Sequence, residues 1–261
     1  MRKFLLLFTL AGIYCVSLAQ STTPKLAIDH IIIWTEKGAP EIKDFEKKGF
    51  KISPLTMAHI GFGTGGRYIN FYNVYLEFLY LDNQVTTDAK LVATLPWRGA
   101  EVYSNGKSPF GLGLSMTPYD LARIPIEAEE VVAPWMRSDT GVYFATSNLK
   151  YEQEPFILIV PPYMESLKVS SIDEVDRYVL DSAYKKQIKQ NMTHANGIKE
   201  LTAVKISCKA EQFSSTAKAL KGIANLTVVK NKTHLLEITF DKYKQKKTID
   251  FRPKLPMIIR Y

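Results

Sequence analysis

The chain has 261 residues, of which 46% are hydrophobic and 23% are charged, and its formal net charge is +8. That length is enough to bury one or two hydrophobic cores. The basic residues are spread along the chain and no nucleic-acid-binding motif accompanies them, so a nucleic-acid partner is excluded.

The N-terminus is typical of an export signal. Arg2 and Lys3 precede an apolar run over residues 4–16, and the small residues of Ser17-Leu18-Ala19 suit cleavage before Gln20. We therefore predict a signal peptide over residues 1–19 and a soluble protein exported to the periplasm or secreted; the alternative is an uncleaved membrane anchor. No later stretch is long and apolar enough to span a bilayer, so no stable membrane insertion is expected after processing.

Residues 26–82 form a first module with the predicted order β-α-β-β-β. A β-rich apolar run predicts a strand over Leu26–Trp34, and Pro40 and Glu41 suit the first turn of a helix that ends at Gly49. Further strands are predicted over Phe50–Ser53, Tyr68–Tyr72 and Val74–Leu81, and a loop over the glycine-rich stretch His59–Arg67.

Two more modules and a connecting helix follow. The second module, residues 83–170, has a looser β-α-β-β pattern, residues 171–196 contain a polar connecting helix, and the third module, residues 197–261, repeats the order β-α-β-β-β. Their predicted elements are helices near Thr87–Leu95, after Asp120, over Ile172–Gln190 and over Ser214–Gly222, and strands Phe110–Met116, Val142–Ala145, Phe156–Val160, Leu201–Ser207, Leu226–Lys230, His234–Phe240 and Thr248–Phe251.

Two polar side chains interrupt otherwise apolar strands of the first module. Glu77 lies in Val74–Leu81, which has the composition of a strand buried on both faces, and His30 lies in the middle of Leu26–Trp34. A buried carboxylate must be paired, hydrogen-bonded or bound to a metal. The pair therefore predicts a metal site, an acid/base site or a buried hydrogen-bonded ion pair.

The third module repeats the same pattern with different side chains. Leu236-Glu237 falls where the first module has Leu76-Glu77, and Lys205 falls at the position of His30. We expect Lys205 and Glu237 to form a buried ion pair. The lysine-rich run at 242–247 predicts an exposed hairpin tip.

Several motifs resemble the glyoxalase-like domain proteins of the vicinal oxygen chelate superfamily. They are Asp29-His30-Ile31-Ile32-Ile33-Trp34, Gly38-Ala39-Pro40-Glu41, His59-x-Gly61-x-Gly63-Thr64, Asn73-x-Tyr75-Leu76-Glu77, Ser108-Pro109-Phe110-Gly111, Pro134-Trp135, Glu154-Pro155-Phe156 and His194-x-Asn196-Gly197. The resemblance covers nearly the whole mature chain. It implies an α+β fold in which repeated βαβββ modules form cup-shaped half-barrels, with strand-borne His and Glu side chains binding a divalent metal inside the cup.

Carried over by position, the resemblance implies His30 and Glu77 as metal ligands. His59 could complete a two-His, one-carboxylate set for Zn, Ni, Mn or Fe. It could instead contact substrate, act as general base, or be a solvent-exposed loop residue. The second module departs from the pattern, because its strand Phe110–Met116 has no His and Glu154 is the carboxylate nearest to its last strand.

Four other residues are expected to contact a substrate. Thr64 and Arg67 belong to the glycine-rich stretch, whose backbone N–H groups could hold an oxyanion, and Arg67 could bind a carboxylate or lie at the surface. Asn73 and Tyr75 flank Glu77 and line a cavity or belong to the core. Trp97 and Trp135 are expected to be core residues or pocket walls.

The resemblance thus implies a glyoxalase-like protein that acts on a small oxygen-rich molecule as a metal-dependent lyase, isomerase or dioxygenase. In that hypothesis a metal would act as Lewis acid, and His59 or Glu77 would move the proton. The alternative is a non-catalytic protein of the same fold that sequesters a small hydrophobic or aromatic molecule without metal. The sequence leaves the oligomeric state open.

Overall fold

The larger of two sheets contains two copies of one strand arrangement. The structure is a computed structural model that describes residues 23–95, 106–137 and 140–261. The eight strands are β1 (Lys25–Trp34), β2 (Thr56–His59), β3 (Thr64–Asn70), β4 (Tyr75–Leu81), β5 (Phe110–Thr117), β6 (Ala128–Val131), β7 (Val142–Ala145) and β8 (Phe156–Ile159). Their spatial order is β2-β3-β4-β1-β5-β8-β7-β6.

The two halves of this sheet follow the same order. In the first half β1 pairs in parallel with β4, and in the second half β5 pairs in parallel with β8. An antiparallel pairing of β1 with β5 joins the halves, and the sheet curls into a half-barrel. The predicted α+β class and the cup-shaped, repeated arrangement are therefore confirmed for the first two modules.

Among the described residues the α-helices are few and short. They are α1 (Ile42–Lys47), α2 (Ala89–Thr94), α3 (Ser147–Lys150), α4 (Val175–Tyr178), α5 (Ser182–Asn191) and α6 (Ser215–Ala219). Where the first module has α1, the second has only a 3-10 turn at Leu121–Arg123. The predicted single connecting helix is wrong: the Asp181 carboxylate accepts the N–H of Tyr184, 2.6 Å away, and so begins α5 as a separate helix.

The first module differs from its prediction in one edge strand. Phe50–Ser53 is not a strand. One backbone hydrogen bond joins it to β3, from the Ser53 N–H to the carbonyl of Tyr68, and the next residue, Pro54, has no N–H with which to continue a ladder. The edge strand is instead β2, and β3 begins at Thr64. Much of the stretch predicted as a glycine-rich loop is therefore part of an antiparallel ladder.

The third module forms a second sheet with its own topology. Its strands are β9 (Leu201–Cys208), β10 (Leu226–Lys230), β11 (Leu235–Phe240), β12 (Thr248–Asp250) and β13 (Met257–Arg260), in the order β10-β9-β11-β13-β12. β9 pairs in parallel with β10, the next strand in the chain, whereas β1 pairs in parallel with β4. The third module therefore begins with the element order of the first, adds the unpredicted strand β13, and does not repeat the strand pairing of the first.

The expected Lys205–Glu237 ion pair forms, with an N–O distance of 2.9 Å, but half of the Lys205 side chain is exposed. Arg260 joins it at 2.9 Å. The lysine-rich run 242–247 is exposed as predicted, although it is not a hairpin tip, because the strands on either side of it both pair with β13.

One apolar core joins the third module to the larger sheet. The ring of Phe45 on α1 stacks on Phe251 with a centroid distance of 4.0 Å, and Phe71 packs on Phe240 at 4.4 Å. The same core contains Leu76 and Phe78 from β4. The third module therefore packs on the first two modules within one chain and covers one face of the half-barrel.

Some predicted features cannot be compared with the structure. The signal peptide 1–19 and Trp97 lie outside the described residues. Within the described ranges, no helix combines the length and apolar character that a membrane crossing requires.

The buried side chain of His194 joins the segment before the third module to the backbone of the first module. The Nδ1 of His194 accepts the N–H of Lys51 at 2.9 Å, and its Nε2–H donates to the carbonyl of Asn70 at 2.9 Å. These contacts require the neutral ring, and burial lowers the pKa of His194 to about 4.

This histidine predicts a pH-dependent stability. The unfolded chain binds a proton at His194 below about pH 6.5 and the folded chain only below about pH 4, so the free energy of unfolding should fall as the pH drops through that window. The loss from this group should approach about 3 kcal/mol. Urea unfolding at several pH values should show a flatter pH dependence for His194→Gln than for the wild type; equal dependence would contradict the assignment.

Candidate functional site

A cavity of about 370 Å³ opens on the face of the half-barrel that the third module does not cover. Most of its walls are apolar or aromatic, and its polar groups are few. Its lining includes His30, His59, Thr64, Tyr68, Tyr75, Glu77, Trp135, Leu158 and Met164. Ligand sites commonly combine an apolar wall with a few polar groups in this way.

The alternation of β4 places Glu77 in this cavity. Leu76 and Phe78 point into the core shared with the third module, whereas Tyr75, Glu77 and Leu79 point to the cavity. Glu77 is only 6% exposed, which confirms that its strand is buried on both faces. Its carboxylate must therefore find partners inside the cup.

Two imidazoles and a phenol surround that carboxylate. The Nε2 of His30 lies 3.7 Å from one oxygen of Glu77, and the Nε2 of His59 lies 3.5 Å from the other. The hydroxyl of Tyr68 donates to Oε1 of Glu77 at 3.2 Å. These groups come from β1, β2 and β3, so the three sequence-predicted residues His30, His59 and Glu77 are brought together by strand pairing.

The second ring nitrogen of each histidine is also engaged. Nδ1 of His30 lies 2.9 Å from the carboxylate of Asp29, and Nδ1 of His59 lies 3.0 Å from the hydroxyl of Thr64. Both rings therefore present Nε2 to Glu77. His59 is the last residue of β2 and is largely buried, so it is not an exposed loop residue.

Burial controls the charge of this cluster. It lowers the pKa of His59 despite the opposing attraction of Glu77, so His59 is neutral at neutral pH. Burial and the negative charge of Glu77 raise the pKa values of Tyr68 and Tyr75, which keeps both phenols protonated. The ring of Tyr75 stacks on His30 with a centroid distance of 4.5 Å and supports it from one side.

Two strand glycines leave the space that these side chains occupy. A Cβ atom on Gly113 of β5 would lie 1.9 Å from Cε1 of His30, and one on Gly66 would lie 2.8 Å from Oε1 of Glu77. The second module thus has a glycine opposite His30, in the strand that contains no histidine. Gly66, which belongs to the glycine-rich stretch, leaves room for the carboxylate of Glu77.

Other expected site residues lie elsewhere. Arg67 alternates with Gly66 and Tyr68 along β3 and so points away from the cavity. The side-chain amide of Asn73 forms two hydrogen bonds, 2.9 and 3.0 Å, with the backbone of Leu201 in the third module. Thr64 and Tyr75 line the cavity, as does Trp135.

Two other groups that the sequence singles out are occupied by contacts within the chain. Glu154 accepts the backbone N–H and the hydroxyl of Ser214, at 2.6 and 2.5 Å, and so fastens the third module to the second instead of entering the cup. The N–H groups of Gly61 and Phe62 donate to the carbonyls of Thr86 and His59. Those two donors are therefore occupied and do not form an oxyanion site.

The donor types of the cluster fit a divalent metal, although the side chains do not converge on one point. The two histidines face different oxygens of Glu77, and within residues 23–95, 106–137 and 140–261 no group of three or more His, Cys, Asp or Glu side chains is arranged to hold a metal ion. Two imidazoles and a carboxylate are nevertheless suitable ligands, and an engaged Nδ1 is typical of histidines that bind metal through Nε2.

Sequence reasoning missed two residues of the site. Tyr68 was predicted only as part of a strand, and the alternation of β3 with Thr64 could have placed it on the cavity face. Gly113 lies in the middle of β5, where a glycine often marks the close approach of another group. Its position beside His30 depends on the pairing of β1 with β5.

Comparisons with known proteins support the fold. No protein-family profile matches the chain, and no curated protein matches it. The chain is similar to the crystal structure of a hypothetical protein from Staphylococcus aureus, with 13% identity, coverage of 90% of this chain and 98% of that one, and a TM-score of 0.51. At that identity the similarity shows fold alone. The curled eight-stranded sheet is compatible with a vicinal oxygen chelate-like fold.

The close approach of Gly113 to His30 predicts a specific sensitivity. In Gly113→Ala the new methyl group overlaps the imidazole, so the ring must move, and we expect the free energy of unfolding to fall by about 1–3 kcal/mol. Gly222→Ala is the matched control, because its Cβ would meet no atom within 4 Å. Denaturant unfolding should leave the control within about 0.5 kcal/mol of the wild type; equal stability of both variants would contradict the contact.

Proposed function

We propose that this protein is an exported glyoxalase-like member of the vicinal oxygen chelate superfamily that acts as a divalent-metal-dependent lyase or isomerase, with dioxygenase chemistry less favoured. The observation that carries the proposal is the position of His30, His59 and Glu77 together at the polar end of an apolar cavity. The substrate would be a small molecule with an apolar body and two neighbouring oxygen functions.

The cavity walls support that substrate class. Its volume of about 370 Å³ lies within the usual range for small-ligand sites, about 300–1,000 Å³. Trp135 and Leu158 offer apolar surface to the body of the molecule, and the oxygen functions would lie against the cluster. Burial against these side chains would exclude water from the reacting end.

His30, His59 and Glu77 are the residues that would hold the metal. A bound divalent ion would supply Lewis acidity to the oxygens of the substrate. The ring nitrogens available for this are the two Nε2 atoms, because each Nδ1 is already engaged.

The same residues can move a proton. The Glu77 carboxylate lies at the polar end of the cavity, so it can take a proton from a carbon next to a carbonyl group. His59 is neutral at neutral pH and can also accept a proton. The hydroxyl of Tyr68 donates to Oε1 of Glu77 and holds that oxygen in place.

A second candidate is a non-catalytic binding protein with the same cavity. Two observations favour it: the histidines flank Glu77 on opposite oxygens instead of converging, and the second module contributes Gly113 and apolar residues to the cup but no histidine. In that case the cluster would be the hydrogen-bonding end of a cavity for a largely apolar ligand.

Metal content tests the first candidate. We expect near-stoichiometric Zn, Ni, Mn or Fe in untagged wild-type protein and its loss in Glu77→Ala, because the variant removes the only carboxylate of the set. Elemental analysis after purification and after reconstitution provides the measurement.

Glu237→Ala is the matched control. It removes a glutamate from the same Leu-Glu pattern, but its partners are the surface cations Lys205 and Arg260. The control should retain the metal. Wild-type protein that takes up none of the four metals would contradict the proposed enzyme and favour the binding protein.

Filling the cavity tests ligand binding under either candidate. In Leu158→Trp a larger apolar side chain occupies the cup, so a neutral apolar probe such as N-phenyl-1-naphthylamine should bind at least about tenfold more weakly, about 1.4 kcal/mol. Leu149→Trp, at a position that is 55% exposed, is the control and should bind as the wild type does. Equal probe fluorescence for all three proteins would show that the cavity does not take apolar molecules.

A further inference from the structure

Asp29 and His30 are adjacent in β1, yet their side chains touch. Neighbours in a regular strand point to opposite faces of the sheet, which would keep them apart. A bulge changes this: Ile28 pairs with Leu114 and His30 with Gly113, so Asp29 has no partner in β5. As a result the Asp29 carboxylate reaches Nδ1 of His30 at 2.9 Å.

The rest of the Asp29 carboxylate is also satisfied. The N–H and the hydroxyl of Ser166 donate to its second oxygen at 2.8 and 2.9 Å, and the Lys168 ammonium lies 4.0 Å away. Asp29 is fully buried, and a buried carboxylate is stable as an anion only where donors surround it. The two Ser166 donors, the His30 ring and the Lys168 ammonium provide those surroundings, so the geometry is that of an ionised carboxylate.

We propose that Asp29 is a positioning residue that holds His30 with its hydrogen on Nδ1 and its bare Nε2 toward Glu77. An ionised carboxylate accepts hydrogen bonds and cannot donate them, so Nδ1 must be the donor. With its hydrogen on Nδ1, the neutral form of the ring carries its lone pair on Nε2, and that is the form required to accept a proton or bind a metal. The use of that lone pair depends on the proposed function, whereas the tautomer does not.

The second module takes part in this arrangement. Ser166 lies in the segment that follows β8, and Met164, two residues earlier, lines the cavity. Lys168 donates to the hydroxyl of Ser115 on β5 at 2.8 Å and keeps the segment against the sheet. The segment thus connects the wall of the cavity to the residue that orients His30.

The Asp29→Asn variant tests the proposal. The N–H and hydroxyl of Ser166 still require an acceptor, so the amide oxygen should face Ser166 and the amide NH₂ should face His30. Nδ1 must then accept, and the hydrogen moves to Nε2. Long-range nitrogen–proton correlation spectra of the four histidines should show this reversal, with His30→Gln identifying the signal.

The chain contains its own reference for these spectra. His194 accepts the Lys51 N–H at Nδ1 and must carry its hydrogen on Nε2, so wild-type His30 and His194 should show opposite tautomers. Hydrogen on Nε2 of wild-type His30, or the same His30 tautomer in wild type and Asp29→Asn, would overturn the proposal. The wild-type spectrum decides the first point even if the variant does not fold.

Metal affinity provides a second readout. If the wild type binds metal, Asp29→Asn should weaken it by about 10–100-fold, whereas Asp44→Asn, which loses a surface ion pair with Lys254, should not. Unchanged affinity in a variant with the reversed tautomer would overturn the positioning role. Wild-type protein without metal affinity would count against the proposed function and leave the tautomer result standing.

Discussion

A carboxylate placed between two imidazoles inside an apolar cup is the constraint on which the rest of this structure depends. An unpaired ionised glutamate in the interior destabilises a fold by several kcal/mol, so Glu77 requires partners that other strands must deliver. Tyr68 from β3 donates its hydroxyl hydrogen to Glu77, and His30 from β1 and His59 from β2 flank the carboxylate on its two oxygens. A one-residue slip in any of these pairings would turn a partner to the other face of the sheet.

The same constraint explains features that look like irregularities. The bulge in β1 brings Asp29 and His30 to the same side, and Gly113 and Gly66 provide the space that a ring and a carboxylate occupy. Glycine and a bulge both weaken a regular strand. Here the bulge and the glycines lie beside His30 and Glu77. The hydrogen bonds of the buried Asp29 carboxylate to His30 and Ser166 offset the ladder pairing that the bulge removes.

The third module supports the site from the opposite face. It buries the apolar side of β4, and it is fastened by polar side chains that a linear sequence does not distinguish from ligands. Asn73 pairs with the backbone of Leu201, and Glu154 accepts two hydrogen bonds from Ser214. A polar residue near a buried strand can bind a ligand or join two sheets, and only its tertiary neighbours decide between these roles.

The sequence by itself identified the polar residues that interrupt apolar strands, and it located most of the strands and helices. Glu77 and His30 stood out because a charged or titratable group in an apolar strand has few physical explanations, and strand composition located Val142–Ala145 and Leu226–Lys230 at their observed bounds. These are local properties, and each can be read from a window of a few residues.

Only the tertiary structure decided which residues share the cavity. Arg67 and Tyr68 are neighbours in the chain, yet strand alternation sends one away from the cup and the other to Glu77. The role of Gly113 depends on β1–β5 pairing, which joins positions more than eighty residues apart. Strand order and register are set by the sum of long-range contacts, and no local pattern encodes them; for that reason the sequence could indicate the chemistry of the site but not its full membership.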